Sequence, residues 1–128
     1  MASQLNTSLS VLVVDDSRTI TLLISDLLRK LGFTDIDVAH DGPSALDQLR
    51  QKQYGLVLSD WEMQPMGGEE FLKAMRQDKQ IGNIPTILIT GTAGRGASWL
   101  AGAGAYLAKP FNEADLQTAI RRVLAPGS

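Results

Sequence analysis

Short apolar runs that stop at a polar residue alternate along this chain with stretches whose apolar residues recur every three or four positions. No other feature limits the possible folds as tightly. An unbroken apolar run suits a strand covered on both faces. Spacing of three and four suits a helix with one buried side. Repeating the two in turn requires crossover connections, and these give a parallel sheet with helices on both faces. The pattern therefore predicts an α/β, doubly wound fold.

The elements follow in order. Residues 10–14, Ser-Val-Leu-Val-Val, form a strand that ends at Asp15-Asp16. Ile20, Leu23, Ile24, Leu27, Leu28 and Leu31 mark the inner face of a helix stopped by Gly32. Residues 35–39 read as a second strand. Asp41-Gly42-Pro43 opens a second helix with Ala45, Leu46 and Leu49 inward. Leu56–Asp60 is a third strand, and residues 68–76 a helix carrying Phe71, Leu72 and Met75. Residues 85–90 form a fourth strand, with Pro85 at its start, where a missing N–H is tolerated. Ala105–Ala108 is a fifth strand. Asn112 caps a last helix with Leu116, Ile120, Val123 and Leu124 inward.

The 128 residues suffice for one domain, and 44% are apolar, enough for a core. That domain is expected over residues 9–124, between a flexible N-terminal tail, 1–8, and a C-terminal tail, 125–128. A net charge of −2 gives no reason to expect nucleic acid or an anionic membrane as partner. Without cysteine, disulfides and thiolate metal sites do not arise. No apolar run approaches the roughly 18 residues of a membrane span, and the polar start lacks the regions of a signal peptide. A cytoplasmic protein is the expectation.

In such a sheet the chemistry collects at the carboxyl ends of the strands. Strand one ends at Asp15-Asp16, strand three at Asp60, strand four at Thr90, and strand five runs into Lys109-Pro110. If strands one and three are neighbours, their tips lie about 4.8 Å apart. Carboxylates that close repel unless a cation intervenes. Mg²⁺ suits such a site, because it accepts one or two carboxylates together with phosphate oxygens. A carboxylate beside it can attack phosphorus and form an acyl phosphate. The metal, Lys109 and the Thr90 hydroxyl can then receive the phosphoryl oxygens. Each residue also has a plainer reading. Asp15-Asp16 can be helix-capping acids, Thr90 an ordinary β-branched strand residue, Tyr106 a half-buried edge aromatic, and Lys109 a loop charge. Met63 and Met66 are expected to pack under the loop after Asp60.

The ordered set "VVDD", "LSDWEM", "ILITG" and "YLAKPF" resembles the receiver domain of bacterial response regulators, the CheY-like family, across residues 9–124. The resemblance implies a five-stranded parallel sheet of order 2-1-3-4-5. It implies that Asp60 is the phosphoacceptor, that Asp16 ligates Mg²⁺ directly with Asp15 close by, and that the Glu62 backbone carbonyl completes the protein ligands. It further implies that Lys109 contacts the phosphoryl group, that Thr90 and Tyr106 are switch residues, and that the Lys109–Pro110 peptide is cis. The implied phosphoryl donor is a sensor histidine kinase or a phosphotransfer protein. An unidentified downstream protein target reads the result.

The chain departs from the family pattern in three places. The loop proline falls one position late, as Gln64-Pro65. Glu62 and Gly91 stand where neighbours of the site are thought to tune the phosphoryl lifetime. The segment between Thr90 and Tyr106 is a few residues short and holds Gly91, Gly94, Gly96, Gly102 and Gly104. Each interior Gly costs a helix about 1 kcal/mol against Ala, so the helix expected there is shortened or irregular, with residues 97–101 its best remnant and Trp99 and Leu100 its cover. Two other readings compete. One is a small Asp-nucleophile phosphatase of the haloacid-dehalogenase type, though its nucleophile normally follows the first strand. The other is a receiver cut from a larger hybrid kinase or regulator. A docking-only pseudo-receiver would have lost an acid, the Lys or the Thr, and none is lost.

Overall fold

The computed structural model describes residues 5–91 and 102–124. Among the described residues nine elements follow in chain order: β1 Val11–Val14, α1 Arg18–Lys30, β2 Ile36–Ala39, α2 Gly42–Gln51, β3 Leu56–Asp60, α3 Gly68–Gln77, β4 Thr86–Thr90, β5 Ala105–Ala108 and α4 Glu113–Leu124. The five strands form one parallel sheet in the order β2-β1-β3-β4-β5. Strands begin one residue later than the apolar runs suggest at Ser10, Asp35 and Pro85. Those residues still extend the ladder with their carbonyls, which accept from Gly55, Val11 and Val57. The helix expected within 91–105 falls almost wholly on residues 92–101, outside the described residues.

Strand residues alternate between two cores. Val11, Val13, Leu58, Ile87 and Leu107 pack with Ile24 and Leu28 of α1 and Leu116 and Ile120 of α4. Leu12, Val14 and Val57 face Ala45 and Leu49 of α2 and Phe71 and Met75 of α3. The central strands β1, β3 and β4 are buried along their whole length, so they carry apolar residues on both faces. Met63 and Met66 join the second core, as expected. Leu5 packs against the first core and Thr7 lies on Gly32, so residues 5–8 have contacts with the domain.

One helix face differs from its sequence reading. Leu23 was expected inward, yet it is 53% exposed, and Leu22 is 65% exposed. Thr21 and Ser25 are buried instead, at the same spacing as Ile24 and Leu28. The Thr21 hydroxyl can go inside because it donates to the Arg18 carbonyl one turn back, at 2.9 Å. The run Leu22-Leu23-Ile24, flanked by Ile20, leaves the rotation of the helix undetermined, and packing against β1 and β2 fixes it.

The edge strand β2 is fastened at the amino-terminal end of the sheet. Lys52 Nζ lies 2.9 Å from both Asp35 Oδ1 and Asp37 Oδ2. The Tyr54 hydroxyl donates to Asp37 Oδ2 at 2.6 Å, and Ser10 donates to Asp35. Farther along, the Gln48 amide donates to the Val38 carbonyl at 3.2 Å.

Candidate functional site

Hydrogen bonds just beyond the ends of β1, β3 and β5 fix the strand tips. Asp15 N–H donates to the Ala39 carbonyl at 3.1 Å, Trp61 N–H to Ile89 at 2.8 Å, and Lys109 N–H to Thr90 at 2.9 Å. Asp15, Asp60 and Lys109 therefore project from rigid backbone, as a preorganised site requires. Asp15, Asp16 and Asp60 each offer a carboxylate oxygen within 4.8 Å of the other two. Lys109 Nζ pairs with Asp60 Oδ1 at 2.8 Å. Four of the residues singled out from sequence thus meet in one place. A shallow cleft beside them is lined by Asp16, Glu62, Met63, Gln64 and Gly67.

Asp15 and Asp60 are buried, whereas Asp16 is exposed. Asp15 Oδ1 accepts the Ser17 N–H at 2.9 Å. Asp15 Oδ2 is buried with no hydrogen-bond partner among the described residues. Burial pushes the Asp15 carboxyl above its usual range; the Ser17 N–H opposes this, the Asp60 charge reinforces it, and Lys109 opposes it again. Burial also works against the charge on Lys109, but the hydrogen bond and charge of Asp60 outweigh it and hold the ammonium above its ordinary value. Fully ionised, three carboxylates against one ammonium leave two negative charges unbalanced. A buried carboxylate with a partnerless oxygen, clustered with two further acids, is what a small divalent cation completes. Hard oxygen donors fit Mg²⁺, and Asp15, Asp16 and Asp60 are the side chains that would hold it.

The remaining predicted residues stand at varying distances from this cluster. Thr90 is buried at the tip of β4, with its hydroxyl donating to the Gly91 carbonyl at 2.8 Å. Tyr106 is half-buried, in register with Leu88 and so back from the strand tip. Glu62 is exposed, and its charge favours the protonated form of Lys109. The Lys109–Pro110 peptide is cis, and so is Gln64–Pro65.

Two supporting residues escaped the sequence reading. Ser17 holds Asp15 with its N–H and caps α1 with its hydroxyl, which accepts from Ile20 N–H at 3.3 Å. The signal was a serine directly after two acids and before a helix. Gly68 lies against Asp60: a Cβ there would stand 2.3 Å from the Asp60 carbonyl oxygen. Its N–H donates to the Trp61 carbonyl at 2.8 Å, closing the loop after the acid.

Comparison with known proteins agrees with this geometry. A family described as the response regulator receiver domain matches residues 11–121. The chain is 34% identical to chemotaxis protein CheY-3 of Vibrio cholerae, over 96% of this chain and 97% of that one. It is also 34% identical to chemotaxis protein CheY of Pseudomonas aeruginosa, over 90% and 95%. Among solved structures, chemotaxis response regulator CheY4 of Vibrio cholerae superimposes with a TM-score of 0.83 at 34% identity, covering 92% of this chain and 100% of that one. The receiver domain of a Pseudomonas aeruginosa sensor histidine kinase, solved with magnesium in its active-site cleft, gives a TM-score of 0.82 at 27% identity, covering 91% and 97%.

Proposed function

The chain belongs to the response regulator receiver family, whose members act in two-component phosphorelay signalling, and from that premise we propose that Asp60 is the residue that takes up the phosphoryl group. One observation supports this most directly: Asp60 pairs with Lys109 at 2.8 Å inside a cluster of two further acids, one with a buried oxygen that has no partner among the described residues. The reading makes the protein a signalling component that catalyses its own modification, with no turnover of outside substrates.

Asp60 is held for in-line attack. Its backbone is locked by the Trp61–Ile89 hydrogen bond and by close contact with Gly68. A carboxylate oxygen of Asp60 forms a new bond to phosphorus as the bond from phosphorus to the donor breaks. The donor leaves with that electron pair, as the imidazole of a phosphohistidine would. Lys109 meets the charge that the phosphoryl oxygens bring. Bound at Asp15, Asp16 and Asp60, with the Glu62 carbonyl as a further ligand, Mg²⁺ supplies charge neutralisation. The Thr90 hydroxyl is a second donor for those oxygens once it gives up Gly91, and Tyr106 follows as the switch aromatic. A sensor histidine kinase or phosphotransfer protein is the donor in this reading, and a downstream protein reads the switched surface.

Acetyl phosphate with Mg²⁺ tests the proposal. Intact-mass spectrometry is expected to show one phosphoryl group retained per chain, and none in Asp60→Asn. Many molecules of an aryl phosphate hydrolysed per protein, with nothing retained, would instead point to a phosphatase.

A further inference from the structure

Arg76, near the end of α3, plays no part in the site above, yet it is half-buried and heavily engaged. Its Nε donates to the Gly102 carbonyl at 3.2 Å. Its Nη1 donates to the carbonyls of Gly82 at 3.2 Å and Ile84 at 3.0 Å. These acceptors belong to two separate stretches, the turn before β4 and the chain leading into β5. Arg76 forms no salt bridge among the described residues, and burial holds its guanidinium below the usual range. A cation desolvated to bind three neutral carbonyls serves what those carbonyls belong to.

The chain leading into β5 is fixed at three successive residues. Gly102 adopts φ +89°, a region that favours glycine, and presents its carbonyl to Arg76. Ala103 is buried against Leu72 and Leu88, with Trp61 packed alongside. Gly104 N–H donates to the Thr86 carbonyl at 3.0 Å. The strand that follows is four residues long and has β4 as its single strand neighbour. Lys109 comes directly after it. The position of Lys109 Nζ against Asp60 therefore depends on how firmly this short edge strand is seated at its start.

We propose that Arg76 is a positioning residue of phosphoryl uptake, seating the start of β5 and thereby placing Lys109 against Asp60. The inference rests on the phosphoacceptor reading of Asp60 and adds a residue far from the reacting atoms.

Calorimetric titration with beryllofluoride, a phosphoryl mimic, at saturating Mg²⁺ provides the test. Arg76→Ala is expected to weaken beryllofluoride binding about tenfold, a part of the roughly hundredfold that a 1 Å misplacement of a positioned group can cost. Mg²⁺ affinity, set by residues at the ends of β1 and β3, is expected to stay within about twofold. In a Lys109→Ala background the Arg76 substitution is expected to add nothing, the non-additivity of two residues acting through one contact. Arg76→Lys keeps the charge but cannot span both stretches, so it is expected to behave like Arg76→Ala. It also carries the test if circular dichroism shows the alanine variant unfolded. Unchanged beryllofluoride affinity in a folded variant overturns the proposal. So does an equal loss with and without Lys109, or a parallel loss of Mg²⁺ affinity. If the parent protein itself ignores beryllofluoride, the phosphoacceptor reading of Asp60 fails first.

Discussion

A methyl group on Gly68 would stand 2.3 Å from the Asp60 carbonyl oxygen and 2.9 Å from the Trp61 Cα, both backbone atoms that cannot swing aside. Gly68→Ala is therefore expected to lower unfolding free energy by about 3 kcal/mol, as overpacking does, measured by urea denaturation. Asp15 presents the opposite case, a side chain at odds with its surroundings. Its Oδ2 is buried and has no hydrogen-bond partner among the described residues, and burial raises its carboxyl. Asp15→Asn is expected to raise the stability of the metal-free protein by about 1 kcal/mol, by removing a poorly solvated charge. The same change should abolish stabilisation by Mg²⁺, so thermal melting with and without the ion separates the two effects. At this scale the acids and Lys109 were legible, because each ends an apolar run. Ser17, Gly68 and Arg76 were not. Their roles depend on which backbone groups the fold brings to them, and no local pattern encodes that.

Helices and strands were legible wherever one periodicity ran without interruption. The rotation of α1 was not, because Leu22 and Leu23 offer it two nearly equivalent apolar faces. The fastening of β2 was also invisible, since Ser10, Asp35, Asp37, Lys52 and Tyr54 come from separate stretches of the chain. That network has a pH signature. The Ser10 hydrogen bond and then Lys52 hold the Asp35 carboxyl below its usual range. The Tyr54 hydroxyl and then Lys52 do the same for Asp37. Lowered carboxyls contribute stability above their unfolded value, near pH 4, and lose it as pH falls through the folded value. Amide exchange in β2 is therefore expected to quicken below about pH 4 before the central strands open. Exchange in β2 that keeps step with β3 across that range would contradict the assignment. Tyr54→Phe removes the phenol that donates to Asp37 at 2.6 Å. It is expected to cost about 1 kcal/mol, the usual net worth of one such bond, with the low-pH opening of β2 shifted upward.

For the molecule as a whole, the sheet separates chemistry from fastening. The acids and Lys109 occupy the carboxyl ends of the strands, and the Lys52 network occupies the amino ends. The Mg²⁺ proposed to bind at the carboxyl ends would stabilise the folded chain by mass action. The expected gain is about 2.7 kcal/mol at a hundred times the dissociation constant, read as a rise in melting temperature that Asp16→Ala should erase. The two-core, doubly wound plan was legible from the alternation of runs and periodic stretches. The strand order was not written in any single run. It came with the family resemblance, and the observed ladder has that order.

Gln48 fills the outward carbonyl of Val38, and charged residues line the same rim of the sheet. A foreign strand arriving there meets an occupied acceptor and a hydrated fence. Fibrils elongate only if every added copy offers a sticky margin on both flanks, and this one is stoppered on one side. Edgewise growth through β2 is thereby disfavoured.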